Sequence, residues 1–79
     1  MPKVLEINGY KFSFYSNEND EPAHIHITKN TSNAKYWLEP ELLEEYSYGF
    51  KLIERRKIKN ILREHYNTLI KKWHEHFEN

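Results

Sequence analysis

The chain has 79 residues, 12 Lys and Arg against 12 Asp and Glu, no net charge and no Cys. That length holds one domain with one modest core. Zero net charge leaves no overall field to draw in nucleic acid or membrane, the lack of Cys excludes disulfides and thiolate metal sites, and no apolar run nears the roughly 18 residues of a membrane span.

Hydrophobic residues make up 38% of the chain, so six Tyr, four Phe and two Trp must supply much of the buried area. Charge is unevenly placed. Residues 1–50 hold four Lys against eight Asp and Glu, and residues 51–79 hold eight Lys and Arg against four Glu. The basic end reads as a solvated helical face or as a surface for a nucleic acid or an acidic partner. No signal peptide is visible, so the expected location is the cytoplasm.

The first predicted element is a hairpin in "VLEINGYKFSFYS". Asn8-Gly9 is the dipeptide that best accepts positive φ at both centres of a two-residue turn. The expected register sets Ile7 opposite Tyr10, Leu5 opposite Phe12 and Lys3 opposite Phe14. That places Leu5, Ile7, Tyr10, Phe12 and Phe14 on one face and pairs Glu6 with Lys11 on the other. The polar run Ser16–Pro22 reads as a loop.

Pro22 then imposes an extended start, because it fixes φ and keeps Glu21 out of the helical region. "AHIHITK" alternates, with Ala23, Ile25 and Ile27 on one side and His24, His26 and Thr28 on the other. "NTSN" is a turn, and "AKYWLE" alternates again, completing a second hairpin. "ELLEEYSYGF" is compatible with a short helix, a short strand or an ordered loop, with a turn at Gly49. From Phe50 the spacing is helical: Ile58, Ile61, Leu62, Tyr66, Leu69, Ile70, Trp73 and Phe77 form one stripe. A bend is permitted near Glu64–Asn67. The expected fold is α+β: an antiparallel sheet of about four strands over 3–39, packed against one or two helices over 51–78, in one domain.

The chemistry of the chain centres on "EPAHIHI". If Ile25 and Ile27 face the helices, His24 and His26 point away from the core and to the same side. Two imidazoles so placed have metal-ligand spacing, but no third ligand stands at a diagnostic distance, with Glu18, Asp20 and Glu21 the nearest carboxylates. No metal or other cofactor is therefore expected. A second reading is acid–base catalysis, one imidazole accepting a proton and the other donating one, as in RNA cleavage at the 2′-OH, with Lys11, Lys35 or a helix Arg beside the phosphate. A third is structural: the histidines bond neighbouring strands and hold the Pro22 turn. A fourth is a noncatalytic binding face made by Tyr15, Pro22, His24, His26, Lys35 and Trp37, with aromatics to stack bases or anchor a protein. His65, His74 and His76 read as amphipathic filler, with His65 and His76 on one face if the helix is straight. "ERRKIKNILR" is basic on its polar side and suited to phosphate.

The pieces "YKFSFYS", "EPAHIHI", "AKYWLEP", "YGF" and "LIKKWHEHF", in this order along nearly the whole chain, resemble a family of small bacterial proteins catalogued as domain of unknown function 4160. The resemblance carries Pro22, His24, His26, Trp37 and Trp73 over as characteristic residues, without a catalytic role. Many relatives have a further His or a second Pro just before the motif; here Asp20-Glu21-Pro22-Ala23 departs from a three-histidine pattern. The resemblance implies a growth inhibitor of the toxin–antitoxin kind, bound by a small cognate protein encoded nearby. The function expected is thus toxin-like action through the face around His24 and His26, with metal-independent RNA cleavage the first guess for an enzyme. A noncatalytic protein- or nucleic-acid-binding module and a metal-binding protein are the alternatives.

Overall fold

The turn at Asn8-Gly9 sets the start of the fold: both residues take positive φ, 54° and 85°, as a tight two-residue hairpin requires. The computed structural model describes residues 3–15 and 21–77. Strands β1 (Lys3–Ile7) and β2 (Tyr10–Ser13) flank the turn, with Ile7 opposite Tyr10, Glu6 opposite Lys11 and Leu5 opposite Phe12. At the far end the register shifts, and Lys3 meets Ser13 rather than Phe14. A bulge accommodates one extra residue there, so Val4 and Leu5 both pack against the core.

Strands β3 (His24–Lys29), β4 (Ser32–Trp37) and β5 (Leu43–Tyr48) complete an antiparallel sheet in the simple order β1-β2-β3-β4-β5. The fifth strand is the segment that sequence alone left open among three states. It pairs with β4 through a second register shift, between Lys35 and Tyr36. Gly49 follows at φ 86°, with Ser32 close against it. A Cβ there would come to 2.5 Å from the Ser32 Oγ, so the chain turns where only glycine fits. Of the loop expected over Ser16–Pro22, residues 16–20 lie outside the described residues, and Glu21 and Pro22 lie ahead of β3 without strand or helix.

One sheet face carries Tyr10, Phe12, Ile25, Ile27, Ala34 and Tyr36, all buried. Helix α1 (Leu52–Glu64) adds Ile58 and Leu62 to this core, and α2 (Tyr66–Phe77) adds Leu69 and Trp73. The Glu54 carboxylate accepts a hydrogen bond from the Lys51 backbone N–H at 2.9 Å and so fixes the start of α1. The break between the helices is one residue wide. His65 leaves helical geometry at φ −105°, ψ 16°, yet its N–H still reaches the Ile61 carbonyl and its own carbonyl accepts from Leu69. The helical stripe therefore continues through a bend in the expected region, and His65 and His76 do not lie on one straight helix. The architecture is α+β, and no helix among the described residues is long and apolar enough to cross a membrane.

Candidate functional site

The sheet face opposite the helix core carries the residues singled out in the sequence. Cross-strand pairing sets Ser13, His26, Lys35 and Tyr46 in one row and His24, Trp37 and Leu43 in the next. Tyr15 joins them by lying flat on His26, with ring centroids 3.6 Å apart and planes within 3°. The His24 ring is 5.3 Å from that of His26 and 5.4 Å from that of Trp37. Tyr15, His24, His26, Lys35 and Trp37 thus share one surface, with Pro22 at its end.

The expectation that this face stands open is corrected. His24 is 0% exposed and His26 5%. Neighbours on the same face cover them, and α2 reaches His24 as well: the Trp73 ring is 5.0 Å from that of His24 and continues edge-on to Phe14 at 5.2 Å. A helical periodicity names Trp73 as core, but it cannot say that the indole will border an imidazole.

The His24 Nδ1 lies 2.9 Å from the Pro22 carbonyl oxygen. A carbonyl only accepts, so Nδ1 carries the hydrogen and donates it. The Ala23 carbonyl in turn accepts from the Leu38 and Glu39 N–H groups at 2.7 and 3.3 Å. The turn before β3 is thereby tied both to its own imidazole and to the end of β4. Glu21 sits outside this turn with its carboxylate 3.7 Å from the His24 Nδ1 and 3.2 Å from the Lys35 Nζ. Lys35 also lies over the Trp37 ring at 4.4 Å, a contact of about 0.5–1 kcal/mol when exposed. The Trp37 Nε1–H donates to the Glu45 carboxylate at 3.0 Å.

Chemically, this arrangement fixes rings more than it presents them. The His24 Nδ1 hydrogen is already committed, and its Nε2 has no contact with solvent. A general base must come within hydrogen-bond reach of the proton it takes, and neither His24 nitrogen is placed to meet a substrate arriving from water. The apolar cleft that includes Pro22 and Trp37, about 270 Å³, is completed by Glu39, Pro40, Glu41 and Leu43, not by either imidazole. No group of three or more His, Cys, Asp or Glu suited to a metal occurs among the described residues. His74 approaches Glu39 at 3.4 Å, and His76 borders Phe14 and Phe77.

A second constellation, unread in the sequence, joins β4, β5 and α1. Glu44 accepts from the Tyr36 hydroxyl at 3.0 Å and from two Arg55 nitrogens, Nε at 3.1 Å and Nη2 at 2.7 Å. The Arg55 hydrogen bonds hold the Glu44 carboxyl below its usual range, burial opposes them, and Tyr36 and Lys59 add smaller lowering effects. Burial pushes the Tyr36 hydroxyl up, and the Glu44 bond adds to it. A carboxyl lowered by folding stabilises the fold above its unfolded value of about 4.3 and loses that contribution as pH falls through its lower folded value. Glu44→Gln should therefore weaken the fold by about 1 kcal/mol at neutral pH, given the half-exposed Arg55. Its urea midpoint should also fall less than that of the parent between pH 5 and 3. An unchanged acid limb would remove Glu44 from this role.

The fold defines a small α+β protein whose P-x-H-x-H strand is packed between aromatic rings from the sheet and from the last helix. The family model described as Domain of unknown function (DUF4160) matches residues 9–74. The chain belongs to that family. Comparison with curated proteins and with solved structures returned no match.

Proposed function

We propose that this chain is a noncatalytic binding module of the cytoplasm. Its toxin-like action, in a pair with a small cognate protein encoded nearby, is to occupy a target rather than cleave it. The observation that carries this reading is the burial of both imidazoles, with the His24 Nδ1 committed to the Pro22 carbonyl. A catalytic pair needs at least one nitrogen in contact with substrate. A frame needs the opposite: rings locked so that the neighbouring surface keeps its shape.

Two measurements test it. End-labelled RNA incubated with the purified chain should show no new ends. Cleavage by the parent, lost in both His24→Ala and His26→Ala, would overturn the binding reading. Induced expression in a bacterial host without the neighbouring gene should slow growth. Normal growth with soluble protein would remove the toxin role.

A further inference from the structure

The polar side of α1 is the most densely basic surface of the chain, with Arg55, Arg56, Lys57, Lys59 and Arg63 within nine residues. Arg55 is held by Glu44. Arg56, Lys59 and Arg63 follow at intervals of three and four, so they form one stripe along the helix. No ion pair joins any of these three to a carboxylate among the described residues.

The stripe borders a groove. Arg56 and Lys59 line a cleft of about 230 Å³ with Leu52, Tyr36, Glu44 and Arg55. Lys59 and Arg63 line a second, of about 420 Å³, with Pro40, Glu41, Leu42 and Tyr66. Lys59 lines both, so the two clefts adjoin at its side chain. The far wall is fixed. The Tyr66 hydroxyl donates to the Leu38 carbonyl, and Glu44, the carboxylate on the first cleft, already has its charge matched by Arg55. Glu41 is the remaining acidic group on the groove.

We infer that this groove binds the backbone of a single-stranded nucleic acid, with Arg56, Lys59 and Arg63 on successive phosphates and the wall of Leu42, Pro40 and Tyr66 against the bases. From Arg56 to Arg63 the helix rises about 10 Å, comparable with the span of three consecutive phosphates in an extended strand. Guanidinium groups suit phosphate oxygens, and the Pro40, Leu42 and Tyr66 side chains, beside the Glu41 carboxylate, suit the flat faces of unpaired bases. A duplex hides those faces and would leave the wall bare. An acidic peptide would spread its charge on flexible side chains rather than at the regular spacing of a phosphate backbone. The inference deepens the binding reading above and rests on it, naming the ligand class and moving the contact surface from the histidine face to α1.

Fluorescence anisotropy of the full chain with a labelled single strand of roughly 12 nucleotides tests it. The probes are RNA, DNA of the same sequence, and the corresponding duplex. With three phosphate contacts, binding of the single strand should weaken by about 20-fold between 50 and 200 mM salt. Combined Arg56→Gln, Lys59→Gln and Arg63→Gln should weaken it by at least about tenfold at low salt. Combined Lys57→Gln and Lys71→Gln, which change charge off the groove, should leave it within about twofold, and circular dichroism should show both variants folded. Equal losses in the two variants, tighter binding of the duplex, or no binding by the parent would each overturn the inference. The same samples run on a denaturing gel separate the two ideas. Intact but unbound RNA sinks this site alone, whereas cut RNA sinks the noncatalytic reading.

Discussion

Trp73→Ala should remove about 3–5 kcal/mol of stability, the usual range for truncating a buried indole. Trp73 is 4% exposed and, with Leu69, is one of the two buried residues by which α2 joins the core. Its ring packs edge-on to Phe14, lies 4.2 Å from Phe77 and borders His24. Removing it opens a void among three rings that are held by sheet and helix and cannot all move inward. A 79-residue domain has a total stability of about 4–12 kcal/mol, so the variant should be largely unfolded or close to it at 37 °C. Urea unfolding followed by far-ultraviolet circular dichroism reads this directly. Trp73→Phe keeps a ring at the same place and should recover about half the loss. A cost below about 1 kcal/mol for the alanine variant would show that the C-terminal turns of α2 are not anchored through this side chain.

His24→Ala should cost about 2–4 kcal/mol, from the cavity left by a fully buried ring and from the Pro22 carbonyl left without its donor. The two contributions are separable. Asparagine places an N–H donor near the position of the imidazole Nδ1 but has no ring, so His24→Asn should recover about 1 kcal/mol through the carbonyl bond alone. Phenylalanine fills the volume but donates nothing, and should recover a share through packing. Recovery by asparagine and by phenylalanine, each incomplete, is the signature of a residue that frames the turn before β3. Unchanged stability in His24→Ala would remove that role and return the imidazole to the list of candidate acids and bases.

These two residues also show how far the local pattern reaches. The Asn8-Gly9 hairpin was legible because its turn chemistry and its alternation agree, and both act between residues only a few positions apart. At Pro22 the entry is a turn rather than extended chain, since the backbone bends at Glu21 and Ala23 and β3 starts at His24, but the strand that follows was legible from its alternation. The bulge that brings Ser13 opposite Lys3 was not, because a register shift depends on how β1 seats its two aliphatic residues, Val4 and Leu5, against a core built by other elements. β5 was open among three states because "ELLEEYSY" has neither a clean period of two nor one of 3.6. Its state is set by pairing with β4, a contact between segments that the local pattern does not encode.

The sequence by itself determined the α+β class, the first four strands and the helical region that ends the chain, the helical stripe from Ile58 to Phe77, the placement of Tyr15, His24, His26 and Trp37 on one face, and kinship with a family. All of these rest on periodicity, turn chemistry or a motif, which are properties of neighbours along the chain. Only the tertiary structure decided that the histidine face is closed, because burial is set by what arrives from elsewhere: Tyr15 from the end of β2, Trp73 from α2, Lys35 from β4. It also decided that the basic side of α1 borders a groove. The cations are visible in the sequence, but the opposing wall of Pro40, Leu42 and Tyr66 exists only once β5 and the helix bend bring distant segments together.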